Sequence, residues 1–473
     1  MLRNALFSSP RHIYCFTISN HSTSSFFQNM SSANRIESFG KWVGDNLLFS
    51  EVLEADNRAP CLIFSMPDFI LRLFHMEDGG NEFGLLAPRI EFWIALTMTL
   101  IFGAIFSSCL SCIMYQFIVI PRKRNNKQNN EYMTPFLVGV GIIMPLCALY
   151  PYYGLRYFHI KNKMIKFLTG LAQLTSFFRC SEAMFGFLPP NVDDSLTNLI
   201  IYNAFPVEVK FNANGAIKST WTTVSHNGAN CVKYILILGI YSSIMLSYDY
   251  QPYSNNEGTN LLDINILTGF SRQQLINNAS IGILFQVYLT TFGFGINFLT
   301  SLCGVQQLPL MLNPIFESSS PSDFWGRRWN LVVHGILKRG VYKPVRTKYS
   351  RLTASMAAFV ASGLFHEWLL SIVFYPDSEE HIGSCSPPIC YLPTYGRTTL
   401  FFIWNAILIG LEYAIGGAAI FQLFKKHLPL TLVSLLVAST ALPMAHWFTH
   451  DYVRSDFFED AQIGFPLIVR VLD

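Results

Sequence analysis

The chain has 473 residues, of which 51% are hydrophobic and only 13% charged, against about 25% charged in an ordinary soluble domain. A water-facing globule of this size would lack a polar coat, and a net charge of 33 − 30 = +3 is too small for bulk electrostatic binding of nucleic acid. With 41 Phe and a mean hydropathy of +0.32, the composition excludes a soluble enzyme and a disordered protein and leaves a polytopic, all-α membrane protein.

The first 36 residues contain no acid, three Arg (Arg3, Arg11, Arg35) and many Ser. That resembles a targeting segment in composition, but no clean apolar core precedes a small-residue cleavage site, so an unstructured tail is expected. Residues 1–90 are read as a polar and amphipathic N-terminal region and 91–473 as one membrane domain. A spanning helix needs roughly 20 mostly apolar residues. The uncharged run Trp93 to Ile120 meets this first, followed by Met133 to Leu155 and by Lys163 to Leu188, which is interrupted by Lys166, Arg179 and Glu182. Further spans are expected at Tyr234 to Tyr248, Ser280 to Gln306, Leu352 to Tyr375, Thr398 to Phe424 and Leu428 to Phe448, about eight in all.

Short cytosolic loops retain Lys and Arg. Pro121 to Asn130 holds Arg122, Lys123, Arg124 and Lys127 without an acid, and Gln307 to Arg351 carries eight basic residues against Glu317 and Asp323. Both are expected on the cytosolic side, which requires an even number of crossings between them. The charge-bearing Lys163 segment is therefore read as a real crossing or re-entrant pair, leaving Arg156, Lys161 and Lys163 on the wrong side for their charge. The acidic stretch around Asp456, Glu459 and Asp460 falls on the lumenal side. Cys385 and Cys390, also lumenal, are allowed a disulfide. Asn20, Asn29 and Asn278 head glycosylation sequons. Cys109 and Cys112 form a CxxC inside an apolar run without a nearby His, so packing is expected there and no metal is assigned.

Two polar features stand out. In the second basic loop, Ser320-Pro-Ser-Asp323 reads as a helix start, with a capping Ser, Pro in the first turn and an acid near the positive dipole end. On one continuous helix from there, Trp325, Trp329, Val332, Val333 and Ile336 would share one face and Arg327, Asn330, His334 and Lys338 another. Pattern alone leaves open an interfacial helix with Trp anchors and snorkelling Arg. The second feature is Ser362-Gly-Leu-Phe-His366-Glu367, mid-span, where an ionisable residue costs at least about 2.5 kcal/mol on insertion scales for Asp and usually faces a cavity. Ser355, Phe359, Ser362 and His366 share one helical face. Glu412 lies mid-span in the seventh segment as a candidate proton partner.

Phe324-Trp-Gly-Arg-Arg-Trp-Asn330, preceded by Asn313-Pro-Ile-Phe316 and followed by Ser362-Gly-Leu-Phe-His366-Glu367, resembles the wax synthase branch of the membrane-bound O-acyltransferases of plants and algae. The motif covers about 55 residues, and the multi-span topology extends the likeness over most of the chain. The resemblance implies a multi-helix membrane chamber, His366 as catalytic base and Asn330 as its partner. Acyl-CoA and a lipidic long-chain alcohol are the implied substrates and a wax ester the product, with no cofactor, no nucleic-acid partner and an endoplasmic-reticulum membrane location. Trp325, Trp329, Ser362, Arg327 and Arg328 are the expected substrate contacts, the two Arg and also Lys338 and Arg339 facing CoA phosphates. A sterol, diacylglycerol or terpenoid acceptor is the alternative within this chemistry. A proton-coupled transporter using His366, Glu367 and Glu412 is the reading from another class.

Overall fold

The computed structural model describes residues 58–73, 80–125, 133–253, 269–375, 391–416 and 426–471. The tail with its sequons Asn20 and Asn29, and the pair Cys385 and Cys390, lie outside the described residues. Eight long helices dominate the rest: α1 (Ile90–Arg124), α2 (Met133–Tyr157), α3 (Lys163–Phe185), α4 (Trp221–Ser247), α5 (Arg272–Leu302), α6 (Arg351–Val373), α7 (Arg397–Ile415) and α8 (Leu430–Arg454). All but α3 are long and apolar enough to cross a membrane, and α4 and α5 both start well before the apolar runs that announce them.

Helix α3 explains its own charges. Sixteen of its 23 residues are buried, whereas in the other seven helices between 22% and 39% of the most apolar stretch is buried inside the protein. It is a helix of the bundle core, so its ionisable groups meet protein partners rather than lipid. Lys166 Nζ donates to the Tyr375 carbonyl at 3.0 Å. Near the other end Arg179 donates to the carbonyls of Phe205 and Val207 and lies over the Tyr202 ring, while Glu182 accepts from Tyr202 and pairs with Arg339 at 3.1 Å.

This end of α3 also collects both basic segments. Arg122, at the end of α1, donates to the Ala183 carbonyl and pairs with Asp193 at 2.8 Å, and Arg339 comes from the second basic stretch. Both therefore sit at one end of the bundle, called here the basic end. At the far end Lys163 pairs with Asp460 at 3.3 Å, so one of the cations that conflicted with its side is neutralised by the acidic C-terminal stretch.

A small sheet closes the far end, an addition to the all-α expectation. Strands β1 (Leu62–Ser65), β2 (Glu82–Leu86) and β5 (Leu467–Arg470) pair antiparallel in the order β1-β2-β5. A two-stranded hairpin, β3 (Phe211–Asn212) with β4 (Gly215–Ala216), lies near the basic end. Between β5 and the helices sits the largest hydrophobic cluster, rich in aromatics such as Phe92, Tyr288, Phe458 and Phe465.

Helices α6 and α7 approach closely. A Cβ on Gly363 would lie 2.7 Å from the Thr399 Cα, so any larger residue would push the pair apart. Glu367 ties the same crossing by accepting from the Thr399 backbone N–H at 2.9 Å and from its hydroxyl.

Candidate active site

The segment that carries the Trp-Asn motif is not one helix. Ser320 does start a turn, its hydroxyl oxygen accepting from the Asp323 N–H with Pro321 in first position. After the wide turn Phe324–Arg328 the backbone breaks: Trp329 is extended and Asn330 is left-handed, with φ 38° and ψ 72°. Asn330 then caps a new helix, Leu331–Leu337, its Oδ1 accepting from the Val333 N–H at 3.3 Å. Asn both tolerates the left-handed region and caps well. A three- and four-residue periodicity is blind to such a break, which is why the expected single helix with two separate faces is corrected here.

The break gathers residues that one helix would have kept apart. Trp325, Trp329, Asn330, Val333, His334 and Lys338 all line one cavity of about 550 Å³, together with Ser355, Ser362 and His366 from α6. Phe401 and Phe402 of α7, Phe448 and Thr449 of α8 and Gly282 of α5 complete it. His366 and Asn330 thus meet around one space, although 36 residues and two elements separate them.

The environment sets the role of each side chain. His366 Nδ1 lies 2.7 Å from the Ser362 carbonyl, an acceptor only, so Nδ1 carries the proton and Nε2 is left as the basic nitrogen. No partner for Nε2 is found among the described residues. The imidazole stacks on Phe402 at 4.7 Å and meets Phe448 edge-on at 5.3 Å, which fixes its plane. Because Asn330 spends its oxygen on the helix cap, the amide Nδ2–H groups remain as its free donors. Trp325 is held by an indole N–H bond to the buried Asn405 at 3.0 Å and by the rings of Phe359, Phe401 and Phe402.

Arg327 and Arg328 do not line the cavity. Arg327 is mostly exposed and pairs with Asp323 at 2.8 Å; Arg328 joins Asp323 to Glu317 at 3.1 and 2.8 Å. Although burial works to raise it, the Ser319 N–H and the Arg328 guanidinium hold the Asp323 carboxyl below its ordinary range. These ions fold the loop on itself. The cations that do line the cavity are Lys338 and Arg351, at its basic end beside Tyr342 and Tyr413. His334 lines the same region, and burial, with Lys338 and Arg339 nearby, pushes it down to about 4, so it is neutral at neutral pH.

Of the two candidate relay carboxylates, Glu412 is fully engaged and Glu367 is engaged through one oxygen, its Oε2 being buried without a partner among the described residues. Glu367 holds Thr399, and Glu412 accepts from the Ser322 N–H and hydroxyl at 2.7 and 2.8 Å, pinning the start of the motif turn to α7. Asn278 is no glycan acceptor: it is buried, and its amide donates to the Leu442 carbonyl. Sequence reasoning passed over Asn405, although a lone amide in a long apolar run was a readable signal. It also passed over Thr449, which nothing in the sequence marks.

A profile of the membrane bound O-acyl transferase family matches residues 308–386, the stretch that carries both Asn330 and His366. Among curated proteins, the chain is 35% identical over 118 residues to probable long-chain-alcohol O-fatty-acyltransferase 9 of Arabidopsis thaliana, covering 23% of this chain but only 30% of that one. With probable long-chain-alcohol O-fatty-acyltransferase 3 of the same plant it shares 25% over 328 residues, 67% of this chain and 82% of the relative. An acyl-CoA–sterol O-acyltransferase 1, also from Arabidopsis thaliana, is 41% identical over 116 residues, 23% and 29% of the two chains. The structure is a polytopic helical bundle around a His- and Asn-lined apolar chamber, and the stretch that carries both residues is the one with these likenesses. Over residues 308–386 the chain is therefore similar to the membrane-bound O-acyltransferase family, and over about two thirds of its length, at 24–25% identity, to relatives named as probable long-chain-alcohol O-fatty-acyltransferases.

Proposed function

We propose that the protein transfers an acyl group from acyl-CoA to a long-chain fatty alcohol, giving a wax ester and free CoA, at the endoplasmic-reticulum membrane. The observation that carries this is the meeting of His366 and Asn330 in one apolar cavity, with Nε2 of the imidazole as its basic nitrogen. His366 Nε2 takes the alcohol proton as the alcohol oxygen attacks the thioester carbonyl carbon. Asn330 Nδ2–H donates to the carbonyl oxygen as negative charge develops there, a contribution worth about 10²-fold or more in rate. The C–S bond breaks and the CoA sulfur takes the proton back from the imidazolium. A thiol with pKa about 8.5 is a far better leaving group than an alkoxide, so the thioester needs little further activation. The apolar aromatic walls exclude water and favour alcoholysis over hydrolysis.

Lys338 and Arg351 line the mouth and suit the phosphates of CoA; Arg327 and Arg328 are engaged with Asp323 and Glu317. No cofactor takes part, and acyl-CoA is a co-substrate. The similarity to a sterol acyltransferase supports a sterol as the second acceptor to test. The transporter reading loses support because both oxygens of Glu412 are engaged by Ser322, although Glu367 engages Thr399 through one oxygen only. Microsomes carrying the chain, given labelled acyl-CoA with fatty alcohols, sterols and diacylglycerol, should form wax ester, and His366→Ala should form none. Full ester synthesis by that variant at equal protein level would overturn the assignment.

A further inference from the structure

Hydroxyls on the helices of this protein are, as a rule, satisfied by a carbonyl one turn back, as with Thr99, Thr169 and Thr300, and on α8 itself with Ser439 and Thr440. Thr449 on α8 is different. It is only 6% exposed, it lines the cavity, and its hydroxyl has no hydrogen-bond partner among the described residues. A hydroxyl on a cavity wall with no protein partner is free to bond a ligand in that cavity.

Its position narrows the choice of ligand group. Val373 and Arg454 end α6 and α8 at the far end of the bundle. At about 1.5 Å rise per residue, His366 lies roughly 10 Å and Thr449 roughly 8 Å in from those ends. The two therefore stand at similar depth, and Phe448, the neighbour of Thr449, touches the imidazole edge-on at 5.3 Å. Around the ring at this depth the walls are Phe401, Phe402 and Phe448, which offer no hydrogen bond. Asn330 and the cationic mouth approach from the basic end, where the acyl donor is placed. Ala279, Gly282 and Ile283 of α5 and Ala441 of α8 also line the cavity, and a Cβ on Gly282 would meet nothing within 4 Å. Asn278 beside them has its amide engaged with Leu442 and Gln274, so the wall between α5 and α8 is mainly hydrocarbon.

We propose that Thr449 is a positioning residue for the acceptor alcohol, whose hydrocarbon tail lies along the wall between α5 and α8. The Thr449 hydroxyl donates to the acceptor oxygen, which leaves the acceptor's own proton directed at His366 Nε2. An alcohol oxygen has lone pairs for both the donated bond and the attack, so the two partners do not compete. This rests on the acyltransferase reading above and assigns the acceptor's place within it.

The test uses the full chain in microsomes with labelled palmitoyl-CoA and hexadecanol. It compares Thr449→Val, which keeps the shape and loses the hydroxyl, with Thr449→Ser, which returns it. Thr449→Val should lower kcat/KM for the alcohol roughly three- to tenfold, the loss of one neutral hydrogen bond. KM for palmitoyl-CoA should stay unchanged, and Thr449→Ser should recover most of the loss. A kcat/KM within twofold of the parent, or an equal change for both substrates, overturns the positioning role. Where Val lowers the amount of folded protein, Thr449→Ala against Thr449→Ser gives the same comparison per folded molecule. His366→Ala run alongside separates the two claims: full activity there sinks the acyltransferase reading, whereas a dead His366→Ala with a fully active Thr449→Val sinks only the role of Thr449.

Discussion

Asn330 does two jobs that substitution can separate. Its oxygen caps the helix Leu331–Leu337, its backbone is left-handed, and the residue lines the cavity with its amide N–H groups not used by the cap. Asn330→Ala removes all three features: loss of the cap costs about 0.5–2 kcal/mol, and a left-handed Ala adds roughly 1–2 kcal/mol. That variant confounds folding with catalysis. Asn330→Asp keeps an oxygen on the Val333 N–H, and a negative charge at a helix N-terminus is favourable. It should therefore stay within about 1 kcal/mol of the parent in stability. It loses the donor to the thioester carbonyl and should lower kcat by about 10²-fold or more, some 2.7 kcal/mol or greater in the barrier. Asn330→Gly accepts the backbone, gives up the cap, and should lose kcat to the same extent. Thermal unfolding in detergent and initial ester-forming rates per folded molecule read the two effects separately. If Asn330→Asp kept more than a tenth of kcat, the donor role would be wrong and Asn330 would be a structural cap alone.

Arg339 bridges the fully buried Glu182 and Tyr202 and the partly buried Glu208, so Arg339→Leu strands a buried carboxylate and should cost about 3–5 kcal/mol. Glu182→Leu on the same background should restore part of the loss in thermal unfolding; a single variant as stable as the parent would contradict the account. His334 is held neutral with its ionisation down at about 4 from an ordinary 6.5. The unfolded chain then binds the extra proton between those values, so stability is full above pH 6.5 and falls as pH drops toward 4, by up to roughly 3 kcal/mol. His334→Gln should flatten that part of a melting-temperature profile, and an unchanged slope would remove His334 as its source. Lys338→Ala and Arg351→Ala should raise KM for acyl-CoA severalfold with little change in KM for the alcohol, whereas Arg327→Ala should leave both alone. The reverse ranking would return the CoA contacts to the Arg pair.

The sequence made the membrane class, the spans, the capped start at Ser320 and the buried His366 legible, because each rests on local pattern: an apolar run, a cap-and-Pro turn, a charge out of place. Helix α3 was visible through its defects, since Lys166, Arg179 and Glu182 break the apolar run for the same reason that the helix is wrapped by protein. What stayed hidden is non-local. Whether Arg328 greets a ligand or folds its own loop depends on Asp323 and Glu317 closing around it, and linear order does not fix that geometry. The break at Asn330 reads as a continuous face until the left-handed residue is seen. Likewise β1 and β2 are short, and their completion by β5 pairs segments from opposite ends of the chain.

That sheet carries a consequence for biosynthesis. Strand β2 leaves the ribosome early, yet its second partner, Leu467–Arg470, is made about 380 residues later. Until then one edge of β2 has no chain to bond, and the Phe465 side of the aromatic cluster stays open. The helices between β2 and β5 would be inserted one by one with that end unsealed, and Leu467–Arg470 would act as the latch. Removing Leu467–Arg470 would then leave a fully inserted but loosely closed bundle, exposed to quality-control proteolysis at the end opposite the cationic mouth.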